Sequence, residues 1–297
     1  MPTVGIVGLG LLGGAVASRL RAAGHGVVGH DVVPARVAAL EALGGTGVDS
    51  PAAVARAVDA VCTVLPSLAA VEDVVLGDRG LIAVLRPHQP LIQMSTISPA
   101  LTERLAATLA GRGLAFLDCP VSGTSGMVAR GDGIIFVGGE PALYERWKPV
   151  LESVLPRSVF IGRAGQAMAL KLIANLLVAL HSAAAAEALN MARRAGLDLP
   201  LALEVLRTSA AGSRMLDVRG PMMVRDEFPA QMKLDLFMKD LHLIQDAAGA
   251  LGAAVPLTDV AERLYADAMG RGHDQDDLSV VIRSLLDLRR SAPTETR

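Results

Sequence analysis

Lys171 is the only charged residue between Arg163 and Glu187, in a stretch, GRAGQAMALKLIANLLVAL, that otherwise reads as a buried helix. An ammonium in such surroundings must reach water, find a partner or shift its pKa. Asn175 follows one helical turn later, so both side chains leave the same face. A proton donor and an amide therefore point together, as acid–base chemistry on a small polar substrate requires. The purely structural alternative is a lysine that snorkels to the surface.

A second group of residues has the spacing of a phosphate cradle. Val4–Val7 reads as a short buried strand, and Gly8-Leu9-Gly10-Leu11-Leu12-Gly13 then opens a helix running to about Ala23. Glycines at this spacing permit a tight turn and let a pyrophosphate approach the helix N-terminus, whose free amides favour negative charge. The next strand, Gly26–His30, ends at Asp31. A carboxylate there accepts hydrogen bonds from adenosine ribose hydroxyls and repels a 2′-phosphate. Val32 is no arginine, which favours NAD over NADP, with Arg36 the nearby residue that would partly rescue NADP. A ligand-free strand–turn–helix explains the glycines alone but not their placement before Asp31.

A third group, Asp118-Cys119-Pro120-Val121-Ser122-Gly123-Thr124-Ser125, follows a predicted strand and reads as a loop. Ser122, Thr124 and the amides around Gly123 suit a small carboxylate substrate, and a turn capping the next helix is the alternative.

The elements that must position these groups fall into two halves. Further strands are predicted at Ala60–Leu65, Leu91–Met94, Ala115–Asp118 and Gly133–Gly138, with helices between them, as at Pro34–Leu43 and Pro99–Arg112. Such alternation indicates crossover units and a mostly parallel sheet. Beyond about Gly162 the signals are helical: Ala164–Ala195, Pro200–Ser209, Leu234–Ala250, Thr258–Gly270 and Asp277–Arg290. The expected fold is α/β, a Rossmann-type doubly wound sheet over residues 1–163 followed by an all-α domain over 164–297. The first helix of the second half, about 30 residues, would run roughly 45 Å. Being apolar nearly all round, it favours a homodimer or homotetramer.

Composition excludes several classes. A net charge of −2 gives no electrostatic case for nucleic acid or an anionic membrane. The two cysteines, Cys62 and Cys119, form neither a disulfide framework nor a metal spacing, and no metal is expected. The apolar N-terminus lacks a basic region and is broken by glycines, so it reads as a strand rather than a signal peptide. Lys171, Asn175 and His181 interrupt the one long apolar run, which argues against a membrane span. A soluble, cytoplasmic protein is the expectation.

Taken in order, these segments resemble the β-hydroxyacid dehydrogenase family, the group that includes 3-hydroxyisobutyrate dehydrogenase and tartronate semialdehyde reductase. GLGLLGGAVASRL resembles its cofactor signature, Leu65-Pro66 and Ser95-Thr96-Ile97-Ser98-Pro99 its cofactor-facing turns, and DCPVSG its substrate signature. GRAGQAMALKLIAN resembles the catalytic signature, and Lys239-Asp240-Leu241 the late cofactor motif. The resemblance implies Lys171 as acid/base and Asn175 as a substrate-orienting amide. It implies Ser122 and Gly123 at the substrate carboxylate. Leu65, Pro66 and Thr96 would line the dinucleotide, and Lys239 would reach it from the helical half. By spacing alone, Asp235 and Lys239 read as an exposed i,i+4 ion pair. Thr124 and Ala167 stand where the family often has glycine, and Ala174 replaces a frequent asparagine. The alternatives carried forward are an NADPH-using tartronate or succinic semialdehyde-type reductase and a non-catalytic dinucleotide-binding module.

Overall fold

The computed structural model describes residues 1–286. The chain divides into two compact units, Met1–Ala174 and Asn175 onward. That cut falls inside a helix, eleven residues beyond the boundary expected near residue 163.

The first unit is built on nine strands: β1 (Thr3–Val7), β2 (Gly26–His30), β3 (Thr46–Gly47), β4 (Ala60–Thr63), β5 (Leu91–Gln93), β6 (Phe116–Asp118), β7 (Val121–Ser122), β8 (Ile134–Gly139) and β9 (Ser158–Gly162). From β3 through β2, β1, β4 and β5 to β6 every pairing is parallel. This is the 3-2-1-4-5-6 order of a doubly wound dinucleotide fold, whose ligand crevice opens where strand order reverses, here between β1 and β4. Valine and isoleucine fill these strands because both sheet faces are covered. Val4, Ile6, Val61, Leu91 and Ile92 are fully buried.

The far edge departs from parallel pairing. β8 runs antiparallel to both β6 and β7 (Asp118↔Gly138, Ser122↔Ile134), so β7 continues the line of β6 past Cys119-Pro120 along one edge of β8. β9 pairs with β8 in parallel. The segment after Asp118, expected as a loop, is therefore a strand extension followed by a short helix.

Seven helices belong wholly to this unit: α1 (Leu11–Ala22), α2 (Pro34–Ala42), α3 (Pro51–Ala57), α4 (Leu68–Leu76), α5 (Pro99–Ala110), α6 (Ser125–Ala129) and α7 (Pro141–Val154). Ser50, Ser67 and Ser98 cap α3, α4 and α5, each accepting a backbone N–H three residues on. The eighth, α8 (Gln166–Arg194), begins in the first unit, where Met168 joins its core, and runs on into the second.

The second unit adds α9 (Leu199–Thr208), α10 (Arg214–Arg225), α11 (Leu234–Leu251), α12 (Pro256–Gly270) and α13 (Ile282–Leu286), the last preceded by a 3₁₀ turn, Leu278–Val281. No extended strand occurs among its described residues. The helix expected over Asp277–Arg290 is thus a 3₁₀ turn and a short helix, and its last residues lie outside those described. Phe237 and Tyr265 pack edge to face at 5.4 Å, and the Tyr265 hydroxyl donates to the Ala179 carbonyl at 2.9 Å. Phe237 and Met238 are buried within the packing of this unit. α8 is long and apolar enough, by length and composition, to cross a membrane. Along it Ile173, Leu177 and Met191 are exposed, so it is not buried all round as its composition suggested.

Candidate active site

Each glycine of the first motif has its own physical reason. Gly8 has φ +97°, and a Cβ there would lie 2.2 Å from the Val64 carbonyl oxygen. A Cβ on Gly13 would lie 1.9 Å from the Gly8 carbonyl oxygen, so glycine lets α1 seat on the turn. Gly10 differs, because a Cβ there meets no protein atom within 4 Å. Gly10 is also the N-cap of α1 and offers no side-chain cap to its free amides. Open space before uncapped amides is the cradle a pyrophosphate needs, and the residues present fit a dinucleotide. Leu9 is buried under this turn, while Leu11 is half exposed and Leu12 partly buried.

Asp31 closes the turn from the end of β2. Its carboxylate accepts the Leu9 N–H at 2.7 Å and the Val33 N–H at 2.8 Å. The exposed Arg36 guanidinium pairs with it at 3.2 Å, although the Asp31 side chain is only 4% exposed. The predicted ribose ligand is thus also a strut between β2 and the glycine turn.

Two buried side chains hold together the next two turns, those expected to face the cofactor. Gln93 brackets Ser95, its Oε1 accepting the Ser95 N–H at 2.6 Å and its Nε2 donating to the Ser95 carbonyl at 2.7 Å. The Ser95 hydroxyl accepts the Leu65 N–H at 2.8 Å. The turn carrying Leu65 and Pro66 is therefore pinned to the turn carrying Thr96. Motif reading gave Gln93 and Ser95 no role; a buried glutamine at the end of an apolar strand was the available signal.

On the β6–β7 line, Ser122 sits on the antiparallel ladder with β8, partly exposed. Gly123 is crowded on one side, a Cβ there lying 3.3 Å from the Asp132 carbonyl oxygen. Thr124 is the N-cap of α6, its hydroxyl accepting the Met127 N–H at 3.2 Å. The helix-capping turn expected as the alternative for this segment is thus formed by Thr124.

Asp118, at the end of β6, was quoted within a motif but given no function. It is fully buried, and its Oδ2 accepts the N–H groups of Gly165 and Met168, each at 3.0 Å. The strand leading into Ser122 therefore caps the helix that bears Lys171. Burial pushes the Asp118 carboxyl up to about 7, against the two backbone donors that lower it.

Lys171 is 9% exposed, and Asn175 follows one turn later at 5%. Ala167, where the family often has glycine, is fully buried and faces Gly138 of β8. In the second unit, Asn175 Nδ2 donates to Asp240 Oδ2 at 2.8 Å. Lys239 Nζ pairs with Asp240 Oδ1 at 3.2 Å, whereas Asp235 accepts from Gln275. The predicted i,i+4 partner of Lys239 is thus engaged elsewhere, and the adjacent Asp240 is in contact. His181 and Glu187 are exposed on α8, and no cluster of three or more metal-ligating side chains occurs among the described residues.

Two family models cover nearly all of this architecture. The NAD binding domain of 6-phosphogluconate dehydrogenase matches residues 3–162, and the NAD-binding domain of NADP-dependent 3-hydroxyisobutyrate dehydrogenase matches residues 165–285. An L-threonate dehydrogenase of Escherichia coli O6:H1 is 36% identical over 283 residues, 94% of this chain and 93% of the relative.

The chain belongs to the β-hydroxyacid dehydrogenase family.

Within this family, a 2-hydroxy-3-oxopropionate reductase of Escherichia coli K12 is 32% identical over 95% of this chain and 96% of its own. The solved structure of 3-hydroxyisobutyrate dehydrogenase from Salmonella typhimurium superposes with a TM-score of 0.87 at 34% identity, covering 95% of this chain and 99% of that one. The Rossmann-type first unit and helical second unit are the architecture of β-hydroxyacid dehydrogenases, and the protein is an NAD(P)-dependent enzyme of the 3-hydroxyacid dehydrogenase class.

Proposed function

We propose that this enzyme interconverts a small β-hydroxy acid, of the 3-hydroxyisobutyrate type, and its semialdehyde, with Lys171 as acid/base and NAD as the dinucleotide. The observation that carries the reading is the tie between Asp118 and the start of α8. One carboxylate links the strand that runs into Ser122 and Gly123 to the helix that carries Lys171.

Ser122 and the Gly123 amide hold the substrate carboxylate, with Thr124 beside them, and Asn175 orients the molecule. In oxidation the β-hydroxyl proton moves to Lys171 Nζ; in reduction the Lys171 ammonium stabilises the developing alkoxide and returns the proton. When bound, the nicotinamide supplies the hydride acceptor or donor. The glycine turn and the amides of α1 hold its pyrophosphate, Leu65, Pro66 and Thr96 line it, and Lys239 supplies a cation to it. Asp31 favours NAD because its carboxylate repels a 2′-phosphate. A second reading, an NADPH-dependent semialdehyde reductase, draws on Arg36, a half-exposed guanidinium beside that carboxylate.

The protein is further proposed to be a soluble cytoplasmic homodimer or homotetramer that binds neither nucleic acid nor membrane, the exposed Ile173 and Leu177 of α8 supplying apolar contact. The deciding experiment is a turnover panel with NAD⁺ and NADP⁺ against 3-hydroxyisobutyrate, L-threonate, L-serine and, in reverse, tartronate semialdehyde. NADH formation with one β-hydroxy acid is the expected result. Measurable NAD binding without turnover on any of them would leave the non-catalytic module in its place.

A further inference from the structure

Asp240 lies on the buried face of α11, among Phe237, Leu241 and Ile244, and is itself 1% exposed. A carboxylate at such a position costs several kcal/mol in desolvation, roughly, unless it is paired and hydrogen-bonded. An apolar side chain would satisfy packing there at least as well. Its two oxygens face two different partners: Oδ2 accepts from the Asn175 amide at 2.8 Å, and Oδ1 pairs with the Lys239 ammonium at 3.2 Å.

The contact with Asn175 also decides how that amide is turned. A carboxylate only accepts, so the NH₂ end of Asn175 must face Asp240 and the carbonyl end must face away. An amide without this partner presents either end, and a substrate hydroxyl would meet a donor or an acceptor by chance. Lys239, 25% exposed, keeps its charge near water while its ammonium is held by the other oxygen.

We propose that Asp240 is a positioning residue for the reaction, fixing the Asn175 amide with one oxygen and the Lys239 ammonium with the other. Its proposed effect is exerted through these two side chains. It couples the residue proposed to orient the acid to the residue proposed to reach the cofactor, and so it rests on the functional reading above.

The test uses Asp240→Asn and Asp240→Ala in the full-length enzyme, with Lys239→Ala and Asn175→Ala as references. NADH affinity is read by fluorescence titration, which needs no turnover, and kcat and KM are read on whichever acid the panel identifies. Asp240→Asn keeps an acceptor for the Asn175 amide but loses the charge opposite Lys239. Its expected signature is an NADH Kd raised about as far as in Lys239→Ala, with the KM of the acid within about threefold of wild type. Asp240→Ala should show both defects, kcat/KM for the acid falling on the order of 10²-fold. Adding Asn175→Ala to Asp240→Ala should then cost little more, because coupled residues are not additive. Wild-type NADH affinity in both Asp240 variants would overturn the proposal. So would equal losses in the two variants that only track a lowered Tm. If no acid is turned over, the functional reading fails, while the NADH titrations still decide whether Asp240 governs Lys239.

Discussion

Asp118 and Met168 are fifty residues apart in sequence and meet as carboxylate acceptor and backbone donor at 3.0 Å. The Gly165 N–H reaches the same oxygen, so one side chain stands in for the missing turn at the start of α8. Lys171 sits in the next turn of that helix.

This cap carries a pH signature. The Asp118 pKa rises on folding from 3.8 to about 7, so between those values the folded state binds a proton that the unfolded chain releases. Stability from this group therefore falls as pH rises from about 4 to about 7 and is flat above. Asp118→Asn keeps an acceptor without the titration. Thermal unfolding from pH 4 to 8 should show the wild type losing ground to Asp118→Asn up to neutrality; parallel curves would remove the assigned pKa.

Lys171→Ala should lower kcat by about 10²–10⁴-fold, the usual worth of acid–base assistance. NADH affinity should stay close to wild type, since the role proposed for Lys171 is proton transfer to the acid and not grip on the pyrophosphate. Wild-type turnover in this variant would take the lysine out of the mechanism.

Gly10→Ala and Gly13→Ala should fail in different ways. Gly13→Ala drives a methyl into the Gly8 carbonyl and should unfold at markedly lower temperature. Gly10 has φ −63°, so alanine fits the folded backbone and the Tm should hold or rise slightly. Its NADH affinity should nonetheless drop at least about tenfold, because the methyl enters the open space proposed to hold the pyrophosphate. Comparison of thermal melts with NADH titrations separates the two cases.

Ser95→Ala leaves the part-buried Leu65 N–H without its acceptor, a loss of about 1 kcal/mol. The Leu65–Pro66 turn should loosen, raising the KM for NAD more than the KM for the acid. A rise confined to the acid would place this turn away from the dinucleotide.

Asp277 serves the second unit as a hub. It pairs with the buried Arg219 at 3.2 Å and accepts the N–H groups of Gln231, Met232 and Ser279. Asp277→Ala strands that guanidinium and should cost roughly 3–5 kcal/mol, read by denaturant unfolding.

What the sequence made legible was local. The glycine spacing, Asp31 and the strand–helix alternation each lie within one crossover unit, and all are found where the pattern placed them. α8 was visible because its apolar run is long. α10 was not, because Gly220 and Pro221 interrupt its pattern; the glycine there admits Leu203 of α9, whose Cδ1 would lie 2.5 Å from a Cβ. β7 has only two residues, too few for alternation, and became apparent only through its ladder with β8. The roles of Asp118, Ser95 and Asp240 depend on partners 30 to 65 residues away. No periodicity encodes such pairs; a polar side chain closing an apolar strand, as at Gln93 and Asp118, was the trace that two of them left.

The double duty of Asp31 has an evolutionary consequence. The side chain proposed to select against a 2′-phosphate also ties the Leu9 and Val33 amides to the end of β2. A lineage drifting toward NADP would lose a fold-stabilising strut in the same step that removes the repelling charge. Intermediates on that route would need a replacement brace before a new coenzyme, so foldability constrains a change of cofactor here alongside the chemistry of the ribose site.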